Sequence, residues 1–196
     1  QEHRKQAVAL AITMDRSGSM AADVGGGLQK MDLANLGAAA AIELLSPLDS
    51  VGVIAVDSSP HVVQELTRAT DTAELVARVR RIESMGGGVY SYTALLAAGK
   101  MLEDAEQLNR HVIFFADAAD AEEHENCAEL LAKMVQAGVT TSVIALGTRA
   151  DSDAQFLEEC ARIGQGQVYF TTDASELPRL FAQDTLTAAR STFVEE

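Results

Sequence analysis

Three oxygen-bearing side chains closely follow one apolar segment, and a fourth follows another. Asp15, Ser17 and Ser19 alternate within five residues, so a bent loop can turn all three toward one point. Asp117 stands at the end of a later apolar run. Carboxylate and hydroxyl oxygens suit a hard divalent cation such as Mg²⁺, which keeps several waters and needs few protein ligands. The pattern favours a metal site over the turns and caps that Asp and Ser also form after strands.

The elements that would position these residues alternate between short β-rich runs and longer helical patterns. Such alternation is typical of a parallel sheet covered by helices on both faces. In these sheets, binding residues lie beyond the carboxyl ends of the strands, where strand order reverses. The connection Ser58–Pro60 is too short for a crossover, so the strand after it is expected to be an antiparallel edge. The predicted strands are Ala7–Met14, Val51–Asp57, His61–Leu66, His111–Ala116, Thr140–Leu146 and Gly166–Thr171.

The helices are predicted from their periodicity and from their caps. A residue of capping type with Glu or Gln three positions later marks helix starts at Asp71, Ser152 and Asp173. Small residues from Gly37 to Ala41 would let the first helix lie close against the sheet. The remaining helices are predicted near Leu28–Leu45, Thr93–Gln107 and Glu122–Ala137, the last with an acidic, solvated start.

Composition limits the class of protein. A chain of 196 residues, 47% of them hydrophobic, is long enough to form a single core. With 15 Lys+Arg against 29 Asp+Glu, the net charge of −14 argues against nucleic acid or an anionic membrane as the main partner. Because no apolar run approaches the ~20 residues of a membrane-spanning helix, we expect no direct membrane insertion of this domain. Cys127 and Cys160 share helical spacing with apolar neighbours and are expected in the core.

The segment Asp15-Arg16-Ser17-Gly18-Ser19, directly after an apolar strand, resembles the D-x-S-x-S signature of von Willebrand factor A (VWA) domains. Asp117 matches the other acidic position of that family. The resemblance extends from about Ala7 to about Ala188 and is greatest for bacterial members. It implies a three-layer, doubly wound (Rossmann-like) α/β fold. The sheet would be six-stranded and mainly parallel, with one antiparallel edge strand.

The resemblance further implies a metal-ion-dependent adhesion site (MIDAS). In it, Ser17 and Ser19 would bind Mg²⁺ or Mn²⁺ directly, while Asp15 and Asp117 would hold the ion directly or through water. A carboxylate of a protein partner would complete the coordination, since hydroxyl ligands leave the ion most of its positive charge. We therefore expect a non-enzymatic protein-binding module whose partner presents an acidic side chain.

The domain bounds implied are 7–189, with a polar N-terminal extension at 1–6 and a C-terminal tail or linker at 190–196. Many bacterial VWA domains are parts of larger, membrane-anchored proteins. An extracytoplasmic position is compatible with the resemblance, while the sequence itself leaves the compartment open. The resemblance also implies, as a further expectation, that metal and ligand binding is coupled to a shift of the last helix, Glu176–Ala189.

Two departures from the family pattern affect the expected site. Val89, which cannot coordinate a metal, stands where the family usually has the threonine of Gly-Gly-Thr. We choose Thr93 as the substitute ligand, with Ser91 as the alternative. The usual Thr-Asp-Gly becomes Ala116-Asp117-Ala118, which keeps the carboxylate but loses the glycine.

Two other functions stay open, a metal-assisted hydrolase and a metal-free interaction scaffold with a degenerate site. Against the hydrolase, no His or Lys is placed as a general base, and no second acidic residue adjoins Asp15. The glycine runs at 25–27 and 86–88 match neither the phosphate loop nor the dinucleotide fingerprint. The four His show no ligand spacing, so zinc is not expected.

Overall fold

A single six-stranded sheet forms the centre of the protein in the computed structural model, which describes residues 3–190 and 193–195. Its strands are β1 (Val8–Asp15), β2 (Ser50–Val56), β3 (Pro60–Arg68), β4 (Asn109–Asp117), β5 (Val139–Leu146) and β6 (Gln165–Thr171). Their order across the sheet is β6-β5-β4-β1-β2-β3, and every neighbouring pair is parallel except β2 with β3. All six predicted strands and the antiparallel edge are confirmed.

Helices cover both faces of this sheet and make the fold three-layered, as expected. The helices are α1 (Lys30–Glu43), α2 (Thr72–Val79), α3 (Ser91–Leu102), α4 (Cys127–Gln136), α5 (Ala154–Ile163) and α6 (Leu177–Arg190). One core packs the sheet against α1, α2 and α6, and a second core packs it against α3, α4 and α5. Because the inner strands are buried on both faces, their sequences are nearly continuous apolar runs.

Two helix boundaries differ from the sequence-based prediction. Helix α3 ends at Leu102 instead of Gln107, and the acidic residues that follow it would oppose the negative end of the helix dipole. Helix α4 begins at Cys127 instead of Glu122. The segment Ala121–Glu122 pairs with Val89–Tyr90 in a short parallel ribbon, a long-range contact that helical periodicity cannot reveal.

Of the three predicted helix caps, two are confirmed and one is wrong. The carboxylate of Asp71 accepts the Glu74 N–H at 3.1 Å, which confirms that cap. Asp173 likewise accepts from the Ser175 N–H, at the start of a short 3-10 turn before α6. Ser152 was the wrong residue for α5, which has Asp153 at its N-cap. The Asp153 side chain turns away to the Ala121 N–H at 3.0 Å, so it ties the loop after β4 to α5.

The last helix is fixed to the rest of the domain by a tight packing contact and a buried polar group. A Cβ placed on Gly37 of α1 would lie 2.6 Å from the Phe181 ring, so this glycine allows a close approach of α1 to α6. Asp184, 1% exposed, contacts the His111 imidazole at 2.8 Å and accepts the Tyr169 hydroxyl at 3.2 Å. A shift of α6 would have to break these contacts, and its coupling to metal binding stays a prediction.

Two short strands outside the six-stranded sheet also pair with each other. His3–Lys5 and Phe193–Glu195 form an antiparallel two-stranded ribbon.

Within the described residues, no helix combines the length and the apolar character that crossing a membrane requires. Cys127 and Cys160 are free and buried, as expected.

Candidate metal centre

Asp15 lies at the carboxyl end of β1, where it is fully buried. One of its carboxylate oxygens accepts the Ser17 N–H at 2.7 Å, and the other accepts the Asp117 N–H at 2.9 Å. The first bond bends the loop after β1, and the second joins it to β4, the neighbouring strand. This is the switch point of the sheet, since the chain continues from β1 to β2 on one side and later returns to β4 on the other.

Burial has a marked effect on the acidity of Asp15. Loss of solvent raises the pKa of its carboxyl group from 3.8 to about 6, although the hydrogen bonds from Ser17 and Asp117 act in the opposite direction. The negative charge of Asp117 raises this pKa further. A cation at this position would stabilise the ionised carboxylate that burial disfavours.

Ser17, Ser19 and Asp117 continue the same cluster. The hydroxyl oxygens of Ser17 and Ser19 are 3.2 Å apart, and the Ser19 hydroxyl donates to Asp117 Oδ2 at 3.1 Å. The other Asp117 oxygen accepts the Ala119 N–H at 2.8 Å. Four of the five predicted ligands therefore lie in one connected group at the ends of two adjacent strands.

Residues 84–87 support this loop, and sequence reasoning had singled out only the two glycines among them. The Ser84 hydroxyl donates to the Ser17 carbonyl oxygen at 2.7 Å, and the Met85 N–H donates to the Arg16 carbonyl oxygen at 2.7 Å. The Gly18 N–H donates to the Gly87 carbonyl oxygen at 3.1 Å. These bonds hold the backbone that carries both serines, and no local pattern in the sequence indicates them.

Thr93, the fifth predicted ligand, contacts a different group. Its backbone N–H and its hydroxyl both donate to one oxygen of Glu123, at 2.6 and 2.8 Å. Glu123, expected at the start of α4, instead places its negative charge at the start of α3, where the helix dipole favours it. Ser91 at the first position of α3 is buried, and its hydroxyl has no hydrogen-bond partner within the described part of the chain. Val89 is buried and packs in the core.

Asp57 at the end of β2 is a neighbour of the cluster that the sequence analysis missed. Its carboxylate accepts a hydrogen bond from the Arg16 guanidinium at 3.0 Å. Its carbonyl oxygen accepts a hydrogen bond from the Tyr90 N–H, also at 3.0 Å. Burial raises the pKa of Asp57, but hydrogen bonds from Ser59, His61 and Arg16 together lower it below its ordinary value. The charge of Arg16 is thus paired beside the cluster, and among the described residues Asp15 and Asp117 form no ion pair with a basic side chain.

The rim of the cluster is acidic. Burial raises the pKa of Asp120, and so do the charges of Asp117, Glu122 and Asp153. These four carboxylates lie close enough to act on one another at the loop after β4 and add negative potential there. A cation is therefore favoured at this end of the sheet.

The donor set is made of oxygen alone, with two carboxylates and two hydroxyls. Within residues 3–190 and 193–195, no three His, Cys, Asp or Glu side chains gather as a metal site by themselves, so the hydroxyls would have to be ligands. Hard cations such as Mg²⁺ accept this mixture, whereas structural zinc sites use His and Cys. The residues present fit a Mg²⁺ or Mn²⁺ ion.

Solved structures of other proteins share this fold. A von Willebrand factor type A protein from Catenulispora acidiphila has a TM-score of 0.76 and 24% identity over 94% of this chain and 43% of its own. BatB from Bacteroides thetaiotaomicron, a conserved hypothetical protein, has a TM-score of 0.77 and 17% identity over 94% of this chain and 100% of its own. Proximal thread matrix protein 1 from the mussel byssus, with a zinc-occupied MIDAS motif, has a TM-score of 0.77 and 15% identity, covering 94% of this chain and 46% of its own.

Sequence comparison gives the family. No curated protein matches the chain significantly. The profile of the von Willebrand factor type A domain matches residues 10–119, which include Asp15, Ser17, Ser19 and Asp117. Because this match spans more than half of the 196 residues and the six-stranded fold agrees with it, the chain belongs to the von Willebrand factor type A family.

Proposed function

We propose that this protein is a non-enzymatic, divalent-metal-dependent protein-binding module. In this proposal Asp15, Ser17, Ser19 and Asp117 hold a Mg²⁺ or Mn²⁺ ion, and residues 7–189 form the binding domain. The observation that carries it is the continuous chain of hydrogen bonds from Asp15 through Asp117 and Ser19 to Ser17. Side chains from two strands that are distant in sequence converge there without His, Cys or a basic group among them.

The charge of this donor set explains why the partner would be acidic. Two neutral hydroxyls contribute oxygen without cancelling the charge of the ion, so the ion remains able to attract a carboxylate. Attraction at contact distance outweighs the net charge of −14, because charges beyond ~8 Å are largely screened at physiological salt. We propose a protein partner whose acidic side chain completes the coordination. The same negative charge makes nucleic acid an unsuitable partner.

A hydroxyl from the start of α3 would complete the set, and Thr93 and Ser91 remain the two candidates. Thr93 would first have to leave Glu123, with which it forms two hydrogen bonds. Ser91 would gain a partner for a buried hydroxyl that lacks one among the described residues. Comparison of Ser91→Ala with Thr93→Val in Mn²⁺ titrations separates them, because only loss of the true ligand weakens metal binding.

The hydrolase alternative has little support in the geometry. The hydroxyls of Ser17 and Ser19 contact each other and Asp117, and neither forms a hydrogen bond to a His or Lys in the described part of the chain. A serine nucleophile needs such a base beside it. The metal-free scaffold remains the competing proposal, because Val89 and Ala118 depart from the family pattern.

Calorimetric titration of EDTA-stripped protein with Mg²⁺ and with Mn²⁺ tests the proposal. We expect one saturable site in the wild type and its loss in Asp15→Ala. Asp104→Ala is the matched control. It also removes a carboxylate, but Asp104 is exposed and precedes the amino end of β4, whereas Asp117 lies at the carboxyl end. Absence of binding in the wild type, or equal binding in Asp15→Ala, would contradict the metal site and favour the metal-free scaffold.

A further inference from the structure

A pocket lined by both polar and apolar side chains opens beside the loop that carries the two serines. It is a cavity of about 270 Å³ whose lining includes Arg16, Arg78, Arg81 and Met85. Three arginines in the lining of one small cavity are unexpected in a chain with a net charge of −14. An anion can be attracted only by those arginines whose charge is not already paired with a carboxylate.

The three arginines differ in what they already bind. Arg16 pairs with Asp57 at 3.0 Å, and Arg78 pairs with Glu74 at 2.7 Å. Among residues 3–190 and 193–195, no carboxylate forms an ion pair with Arg81, which is exposed, and Glu83 is the only acidic residue in the lining. Arg81 is therefore the guanidinium that remains available to an anion from outside.

The pocket and the candidate metal centre share one piece of backbone. Arg16, in the pocket lining, lies between Asp15 and Ser17 in the chain. The N–H of Met85, which also lines the pocket, donates to the Arg16 carbonyl oxygen at 2.7 Å. A ligand that occupies the metal centre through one carboxylate would hold its next residues close to this pocket.

We propose that Arg81 binds a second carboxylate of the same acidic protein partner and thereby determines which acidic sequences this domain prefers. The proposal rests on the proposed function and adds to it a requirement for two acidic groups in the partner. Guanidinium suits this role, because its planar fork can donate two parallel hydrogen bonds to one carboxylate. Since Arg81 is exposed, the effect is expected to decrease with ionic strength.

Synthetic peptides test the proposal directly. The reference probe is acetyl-Gly-Gly-Asp-Gly-Gly-amide, and the others replace one Gly with Glu at each distance from the Asp. In Mn²⁺ at low salt, we expect at least one two-acid peptide to bind the wild type about two- to fivefold more tightly than the reference, as for an ion pair with an exposed side chain. Arg81→Gln should remove this preference and leave the affinity for the reference peptide unchanged. Arg80→Gln is the matched control, since Arg80 is an exposed neighbour with the same charge that does not line the cavity.

Three results would overturn the role of Arg81. They are equal affinity of all the peptides for the wild type, an equal loss of preference in Arg80→Gln, and tighter binding of inorganic phosphate than of the two-acid peptides. The second would mean that only the general charge of the segment matters. The third would identify an anion site without selectivity for carboxylates.

A metal-free measurement separates this proposal from the metal site. In EDTA, addition of the two-acid peptides should shift the NMR signal of the Arg81 side-chain Nε–H and leave that of Arg80 in place. If no peptide binds in Mn²⁺ but Arg81 alone shifts in EDTA, the proposed metal-dependent function fails while the pocket stands. If the reference peptide binds in Mn²⁺ and Arg81 does not shift, the pocket fails while the metal-dependent function stands.

Discussion

The buried carboxylate of Asp15 should make the metal-free protein less stable as the pH rises. Its pKa is raised to about 6 from an ordinary value of 3.8, so the folded state holds the proton more tightly than the unfolded chain does. The stability associated with the protonated form is present below pH 3.8 and is lost as the pH rises from there to about 6. At neutral pH, a shift of about two pKa units corresponds to a loss of about 3 kcal/mol.

Asp15→Asn isolates this contribution. The amide nearly matches the carboxyl group in shape and never ionises, but its NH₂ faces one of the two backbone N–H groups that the carboxylate accepts. That mismatch adds a destabilisation that does not depend on pH. The informative quantity is therefore the difference in the free energy of unfolding between wild type and variant, followed over pH. Between about pH 4.5 and about pH 7.5, we expect the wild type to lose about 2 kcal/mol relative to Asp15→Asn.

Urea denaturation in EDTA, followed by circular dichroism, measures this difference. Asp104→Asn is the control, and its difference from the wild type should change little over the same range, because Asp104 is exposed. Mg²⁺ at about 100 times its Kd should restore roughly 2.7 kcal/mol to the wild type at neutral pH, and less to Asp15→Asn. A difference that stays constant with pH, or a wild type that gains stability as the pH rises, would refute the reasoning from burial.

Three further predictions concern the core. Gly37→Ala should lower the free energy of unfolding by about 1–3 kcal/mol despite the better helix propensity of Ala, because the added carbon would lie 2.6 Å from the buried Phe181 ring; a urea midpoint at or above that of the wild type would contradict this. Asp184→Ala should cost about 3 kcal/mol in the same assay, since it leaves the buried imidazole and the phenol without their acceptor, and a loss below about 1 kcal/mol would mean that this contact does not fix the last helix. Burial raises the pKa of the Cys127 thiol to about 12 and also raises the pKa of the Cys160 thiol. Neither thiol should therefore react with Ellman's reagent before the protein unfolds. Rapid stoichiometric reaction of the native protein would show instead that the thiols are accessible.

The strands of the sheet were predicted well because the features that define them lie close together in the sequence. Strands buried on both faces, such as β1 and β4, must be continuously apolar, and a three-residue link such as Ser58–Pro60 permits only a hairpin. The position at which such a strand ends can then be predicted to within one or two residues. Because parallel strands present their carboxyl ends on one edge, Asp15 and Asp117 could be expected together before any coordinates were known.

Helix boundaries were predicted less well, because contacts distant in sequence decide them. The acidic residues before α4 have the composition of a helix start, but Ala121–Glu122 pairs with Val89–Tyr90 instead. Likewise, Ser152 matches a capping pattern, whereas Asp153 occupies the N-cap of α5. Periodicity and capping patterns describe a segment in isolation, and both outcomes depend on what the fold places against that segment.

By itself, the sequence determined the oxygen donors at the strand ends and their expected convergence, since residue type and strand position suffice for that. Tertiary structure decided how these groups are paired and charged. Only the fold places Glu123 on Thr93, a partner 30 positions away, and joins Arg16 to Asp57. It also buries Asp15 deeply enough to raise its pKa and leaves Arg81 exposed in a pocket that Arg16, the next residue after Asp15, also lines. Electrostatic energies depend on distance and solvent exposure, and a linear sequence specifies neither.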